Sequence, residues 1–206
     1  PTTVASLYLG PIFGDFQTRN PRLNMEIVLM DRSVNPLEED FDIALGALPV
    51  TYPGVLEVPL AVYPRILCGS PAYINSRGAP ETPEDLLNHE CLTILPIGAN
   101  WGFQGDSGEI SVDVHSRFNA NDSRVLRDAA LRGIGLAVLP RFLIEDDLEE
   151  GRLVSLLEGY PVSELILKAL VPRIKRHKPP VHKFLEFLLN RMQPLSPWGT
   201  PFPEHD

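Results

Sequence analysis

The sequence predicts an α/β protein, and three observations predict it. Short apolar runs of strand length alternate with helical patterns along the chain. Glycine, proline, asparagine and aspartate punctuate those runs. The 206 residues are 44% hydrophobic and 22% charged, enough apolar mass for one large domain or two small lobes. The alternation favours mainly parallel sheets, with no internal repeat.

The first element is a helix. Val4, Leu7, Tyr8, Pro11, Ile12 and Phe16 fall on one stripe, and Thr2 or Thr3 is its expected N-cap. Gly10-Pro11 is expected to kink or restart it, and Asn20-Pro21 to end it. MEIVLM (25–30) reads as a buried strand, DRSVNPLEED as a short helix or turn, and FDIALGAL (41–48) as the next strand. TYPGVLEVPLAVYP reads as turn-rich with alternating apolar residues, and RILCGSPAYI as a strand followed by a turn. TPEDLLNHE (82–90) is a short helix, with Thr82 as cap, Pro83 at N1, and Glu84 and Asp85 in the first turn.

CLTIL is a strand, residues 96–109 a glycine-rich loop, and Ile110, Val112 and Val114 the inward positions of a half-buried strand. FNANDSRVLRDAALRGIGLAVLP (118–140) reads as strand end, cap, helix, glycine turn and buried strand. Val125, Leu126, Ala129 and Ala130 are the expected inner face of that helix; Arg124, Arg127, Asp128 and Arg132 are the wet one. An amphipathic helix follows in PRFLIEDDLEEG, its acidic end (Asp146, Asp147, Glu149, Glu150) expected to be solvated. LILKALVP (165–172) is a strand, and PPVHKFLEFLLNRM (179–192) a helix turning Val181, Phe184, Leu185, Leu188 and Leu189 inward. The tail QPLSPWGTPFPEHD is Pro-rich and reads as extended; Trp198 and Phe202 either dock on a groove or stay disordered.

The bulk numbers exclude some functions. A formal net charge of −9 repels phosphate backbones, so these residues alone are not expected to bind nucleic acid. No apolar run approaches the roughly 20 residues that a bilayer needs, and no signal segment opens the chain; a cytoplasmic protein without membrane contact is expected. Cys68 and Cys91 read as small buried hydrophobes, with redox sensing as the sharper alternative.

Several segments together resemble the effector-binding domain of LysR-type transcriptional regulators. They are FGDFQTRNPRLNMEIVLMDRSVNPLEEDFDIALGALP, RILCGSPAYI followed by GAPETPEDLLNHECL, and NDSRVLRDAALRGIGLAVLPRFLIEDDLEEGRLVSLL. The resemblance implies two Rossmann-like α/β lobes, as in a type 2 periplasmic binding protein, with an effector cleft between them. Lobe one would be residues 1–63 plus 171–206, and lobe two 64–170. It implies a homodimer or tetramer through regulatory domains, and DNA contact only through a winged helix-turn-helix and linker helix, both absent from this chain. The family's first strand, which precedes the Pro1 position, is also missing. Many relatives carry arginine where Gly46 stands, so the class of effector is not borrowed from them.

The resemblance also implies an effector site: Thr2 and Thr3 at the first helix start, Ser33, Gly46 and Ala47 after strands, Asn100, Trp101 and Phe103 in the second-lobe loop, and Asn119 and Asn121 at a strand–helix junction. Elementary chemistry agrees. Helix N-terminal amides and short hydroxyls suit a carboxylate, and two aromatic rings suit an apolar body. The alternative is that Thr3 and Asn121 merely cap helices. A small-molecule effector, an organic anion foremost, is the expected partner; no cofactor, metal or catalytic residue is expected.

Other motifs read as structure. GDSG (105–108) looks like a serine-protease nucleophile loop but continues as GEIS, with no histidine element to match; a turn before a strand is the reading. Gly133-Ile134-Gly135 lacks the third glycine of a nucleotide fingerprint. His177 and His182 lack an evident third metal ligand, and His89 and His115 stand singly. RIKRHK (173–178) reads as a solvated turn, with contact to DNA or a head domain as the alternative. A solute-binding protein of a transport system, and an isomerase or lyase on the same scaffold, remain as other functional classes.

Overall fold

The computed structural model describes residues 2–192, and the chain divides into two compact units. The first comprises the residues up to Tyr63 and those from Leu165 on; the second is Pro64–Glu164. The return crossing thus precedes the strand at 165–172, whereas the sequence reading put it near Ala169–Val171.

The first unit opens with a continuous helical run: α1 (Thr2–Val4), a π-helical turn Ala5–Leu9, and α2 (Gly10–Arg19). The break expected at Gly10-Pro11 does not occur. Gly10 donates its N–H to the Ala5 carbonyl, a wide turn that seats Pro11 in the first turn of α2, where its missing donor is harmless. Asn20 ends the helix and donates from its side chain to the Phe16 carbonyl at 2.9 Å. Phe16, 3% exposed, packs edge-on against Phe184 of α6 (Pro179–Met192), ring centroids 4.9 Å apart.

Three strands form the sheet of this unit: β1 (Ala44–Gly46), β2 (Val55–Tyr63) and β10 (Leu165–Pro172), in the order β1-β10-β2, all antiparallel. The run read as turn-rich is therefore its longest strand. Pro59 faces Lys168 at a register shift that skips Leu60, because a proline cannot donate to the ladder. The strand expected over 25–30 is absent. Its residues have no ladder partner, and Ile27, Val28 and Leu29 stand 48%, 47% and 48% exposed. A strand is a property of a pair, and apolar composition alone does not supply the second member. RIKRHK is not wholly solvated either: Lys175 is buried, its ammonium 2.5 Å from Asp40 and bonded to the Asp40 and Phe41 carbonyls.

The second unit holds a five-stranded sheet: β3 (Arg65–Gly69), β4 (Cys91–Ile94), β7 (Phe118–Ala120), β8 (Leu136–Pro140) and β9 (Val154–Ser155), in the order β7-β4-β8-β3-β9. β4 runs parallel to both neighbours, while β3 is antiparallel to both of its own; the sheet is mixed rather than mainly parallel. Alternate residues feed two cores. Leu67, Cys91, Leu136 and Val138 face one side, and Cys68, Leu92, Ala137 and Leu139 the other. Cover on both faces explains why LAVLP is apolar throughout.

The turn expected after β3 is instead α3 (Pro71–Arg77). Ser70 caps it by accepting from the Tyr73 N–H, and Pro71 sits at its start. TPEDLLNHE forms a 3₁₀ helix, Pro83–Asn88, closed by a capping box between Thr82 and Asp85. Residues 96–109 are not a loop: β5 (Asn100–Gly105) and β6 (Gly108–Asp113) form a hairpin with Gly105 opposite Gly108. GDSG is its turn, with Gly108 at φ 125°. Val125 of α4 (Ser123–Leu131) faces outward, at 46% exposure.

Candidate functional site

Backbone groups at strand tips and helix starts fix where the expected site residues stand. In the first unit, Thr2 turns its backbone N–H onto the Asp31 carboxylate at 2.8 Å and its hydroxyl onto the same group at 2.5 Å. The protein's own carboxylate thus occupies the donors that the sequence reading offered to an effector. Thr3 is buried at 3% exposure. Ser33 is exposed, and its hydroxyl has no partner among the described residues. Gly46 ends β1 with open space where a side chain would begin, and Ala47 behind it is 5% exposed.

In the second unit the hairpin overturns one expectation. Trp101 and Phe103, expected to wall a pocket, are 4% and 0% exposed and belong to the hydrophobic core with Leu67, Tyr73 and Val138. Strand alternation sends both inward, and the loop reading hid that period. Asn100, one step out of phase, spends its amide on the hairpin: Nδ2 donates to Asp113 at 2.7 Å, and Oδ1 accepts from Ser111 at 2.8 Å.

The strand–helix junction is different. The N-cap of α4 is Asp122, which accepts from the Arg124 N–H at 2.8 Å, so Asn121 is not the cap. Asn121 is exposed, and its side chain has no partner among the described residues. Asn119 accepts a hydrogen bond from the Thr93 hydroxyl through Oδ1, which leaves its NH₂ donors unspent. Parallel pairing of β4 with β7 in register brings Thr93 opposite Asn119.

Asp147 was missed as a structural residue. It is fully buried and held by Arg127 and by Arg152, the latter at 2.7 Å. The helical period offered the signal, since position 147 falls three residues after the buried Ile144. Burial raises the thiol pKa of both Cys68 and Cys91 to about 12, so neither is a reactive thiolate at neutral pH. Among the described residues no group of histidine, cysteine and acidic side chains is placed to hold a metal, and no helix is long and apolar enough to cross a membrane.

In class this is a two-unit α/β domain, each unit with uncommitted polar groups at a strand end or a helix start. It belongs to the LysR substrate binding domain family, whose model matches residues 1–193. An HTH-type transcriptional regulator of Escherichia coli K12, YhjC, is 30% identical over 199 residues, covering 94% of this chain and 66% of YhjC. The HTH-type regulator CrgA of Neisseria meningitidis serogroup C is 31% identical over 154 residues, covering 72% of this chain and 50% of CrgA. The chain thus spans about half to two thirds of the length of these curated relatives. The solved regulatory domain of N. meningitidis CrgA superposes with a TM-score of 0.72 at 26% identity, covering 91% of this chain and 93% of that one. Full-length AphB of Vibrio cholerae shares the fold at a TM-score of 0.75 and 22% identity, covering 91% of this chain and 65% of that one. The periplasmic-binding-protein-like α/β fold expected from the sequence is therefore the fold of this chain.

Proposed function

We propose that this chain is the ligand-sensing domain of a transcriptional regulator. It binds a small polar metabolite, with organic anions as the first class to try, and does no chemistry on it. The observation that carries this reading, beside the family match, is Asn121. It is an exposed amide with no structural duty beside the start of α4, where unpaired helix N–H groups favour an anion. Asn119 adds amide donors at the same strand–helix junction, while Ser33 and the open space at Gly46 are uncommitted positions within the first unit. Trp101, Phe103 and Asn100 are left out, because packing and the hairpin already use them.

Regulation then follows from binding alone. A ligand that binds two conformations of the domain unequally shifts the equilibrium between them by its differential affinity, and by no more. In the whole regulator that shift alters how DNA-binding heads engage an operator, and self-association through this domain sets their spacing. Bacterial cytoplasm is the compartment this role implies.

A panel of carboxylates and neutral polar metabolites, screened by thermal unfolding of this chain, tests the reading. A true effector at a hundredfold its Kd adds about 2.7 kcal/mol of stability, which raises Tm by roughly 5–10 °C for a chain of this size. Asn121→Ala and Ser33→Ala are expected to weaken that ligand at least tenfold. Unchanged affinity in both variants overturns the site, and accumulation of a product from the ligand overturns the non-enzymatic reading.

A further inference from the structure

The second unit carries a surface cavity of about 270 Å³ that shares no residue with the proposed effector site. Arg77, His89, Glu90, His115 and Arg117 line it, and Leu87 is its only apolar lining residue. Five ionisable side chains around one opening suit a compact, charged ligand. Two arginines meet one carboxylate here, a local excess of positive charge on a chain whose net charge is −9.

The floor is held in place from three directions. The Glu90 carbonyl accepts from the Leu136 N–H at 2.9 Å, the Cys91 N–H donates to the His115 carbonyl at 3.1 Å, and the Glu90 N–H donates to the Tyr73 hydroxyl at 2.9 Å. Gly135 permits this closeness, since a Cβ there would lie 2.4 Å from the Glu90 oxygen. The Tyr73 ring is anchored in the core, and its hydroxyl lies 3.2 Å from His89 Nδ1. In the tautomer in which the tyrosine hydroxyl donates to Nδ1, His89 carries its own proton on Nε2, as a donor.

The arginines differ in what they have to spare. Arg117 forks onto Glu90, with Nε at 3.1 Å and Nη2 at 2.5 Å. Arg77, in the last turn of α3, has no hydrogen bond or ion pair among the described residues. The Arg117 hydrogen bond holds the Glu90 carboxyl below its ordinary range, so Glu90 is an acceptor at neutral pH and each of its oxygens keeps a lone pair. Cationic donors beside a pure acceptor match an oxyanion that still carries a proton. The arginine and imidazole N–H groups bind its oxygens, and its own O–H donates to Glu90.

We propose that this cavity is a seat for a protonated phosphate group, whether inorganic phosphate or the phosphoryl group of a monoester. Sulfate has the same tetrahedral shape but is a full dianion with no proton to give, so Glu90 repels it. The acid in the pocket is thus the specificity element, because a site that leaves a buried or fixed acceptor facing an anion without an O–H rejects that anion.

The test is titration calorimetry on this chain at pH 6 and constant ionic strength, with inorganic phosphate, phenyl phosphate and sulfate as probes. A monoester keeps its proton about half the time at that pH. Saturable phosphate binding at one site is expected, with sulfate at least tenfold weaker. Arg77→Gln weakens phosphate at least tenfold, Glu90→Gln erases the preference over sulfate, and the remote Arg173→Gln leaves both unchanged. Tighter binding of phenyl phosphate than of phosphate assigns the seat to a phosphoryl group, and the reverse order to the free ion. Equal binding of sulfate and phosphate to the parent chain, no saturable binding, or unaltered affinity in Arg77→Gln overturns the proposal. None of these outcomes depends on the effector reading.

Discussion

Asp147 keeps a carboxylate at 0% side-chain exposure between two guanidiniums that still reach water, Arg127 at 29% and Arg152 at 45%. Burial pushes its carboxyl up, yet the hydrogen bonds of Arg127 and Arg152 prevail and hold it below the ordinary range. A carboxyl depressed by folding stabilises the fold above its unfolded pKa, about 3.9, and that stabilisation fades as pH falls through the folded value. Urea midpoints are therefore expected to hold from pH 7 to 5 and to drop below about pH 4. Asp147→Asn is expected to lose about 3 kcal/mol at neutral pH, the lower end for breaking a buried pair because both partners touch solvent. Its acid limb becomes shallower than the parent's. An unchanged acid limb in the variant removes Asp147 as the titrating group. The sequence reading placed this residue among four acids at a solvated helix end. Hydropathy gives Asp146 and Asp147 equal weight; the helical period from Ile144 separates them, and Arg127 and Arg152 hold the buried one.

At the scale of elements, the legible parts were those whose pattern is local. Caps and prolines marked the starts of the 3₁₀ helix at Pro83, of α4 and of α6, and a continuous apolar run marked β8. The hairpin was not legible, since glycines at 102, 105 and 108 read as loop punctuation. In the fold the first two serve close packing: a Cβ on Gly102 would meet Ser163 Oγ at 2.7 Å, and one on Gly105 would meet Ile110 at 2.8 Å; Gly108 serves the turn through its positive φ. The same misreading placed Trp101 and Phe103 on a pocket wall. The fold separates the two roles experimentally. Phe103→Leu removes core volume and is expected to lower stability by about 1–3 kcal/mol while leaving effector affinity intact in the folded fraction. Asn121→Ala should do the reverse. Equilibrium unfolding and calorimetry on the pair distinguish them; a loss of affinity in Phe103→Leu at full folding returns the ring to the site.

For the whole molecule, the order of segments identified the family, because three stretches in fixed sequence specify more than any one of them. What no stretch conveyed was pairing between distant strands. β10 lies between β1 and β2, partners more than a hundred residues away in the chain, and β4 sits parallel to β8 beyond an intervening hairpin and helix. The segment at 25–30 is the counterpart: a run with every local mark of a strand and no ladder. Its backbone amides and carbonyls have no ladder partner among the described residues, and its three central side chains stand half bare to water. Such a ribbon is a template on which another copy of the chain can dock in register, and a lysine in its middle is the usual deterrent. Light scattering that climbs with protein concentration, and a higher tolerated concentration for Val28→Lys at unchanged Tm, is the expected behaviour.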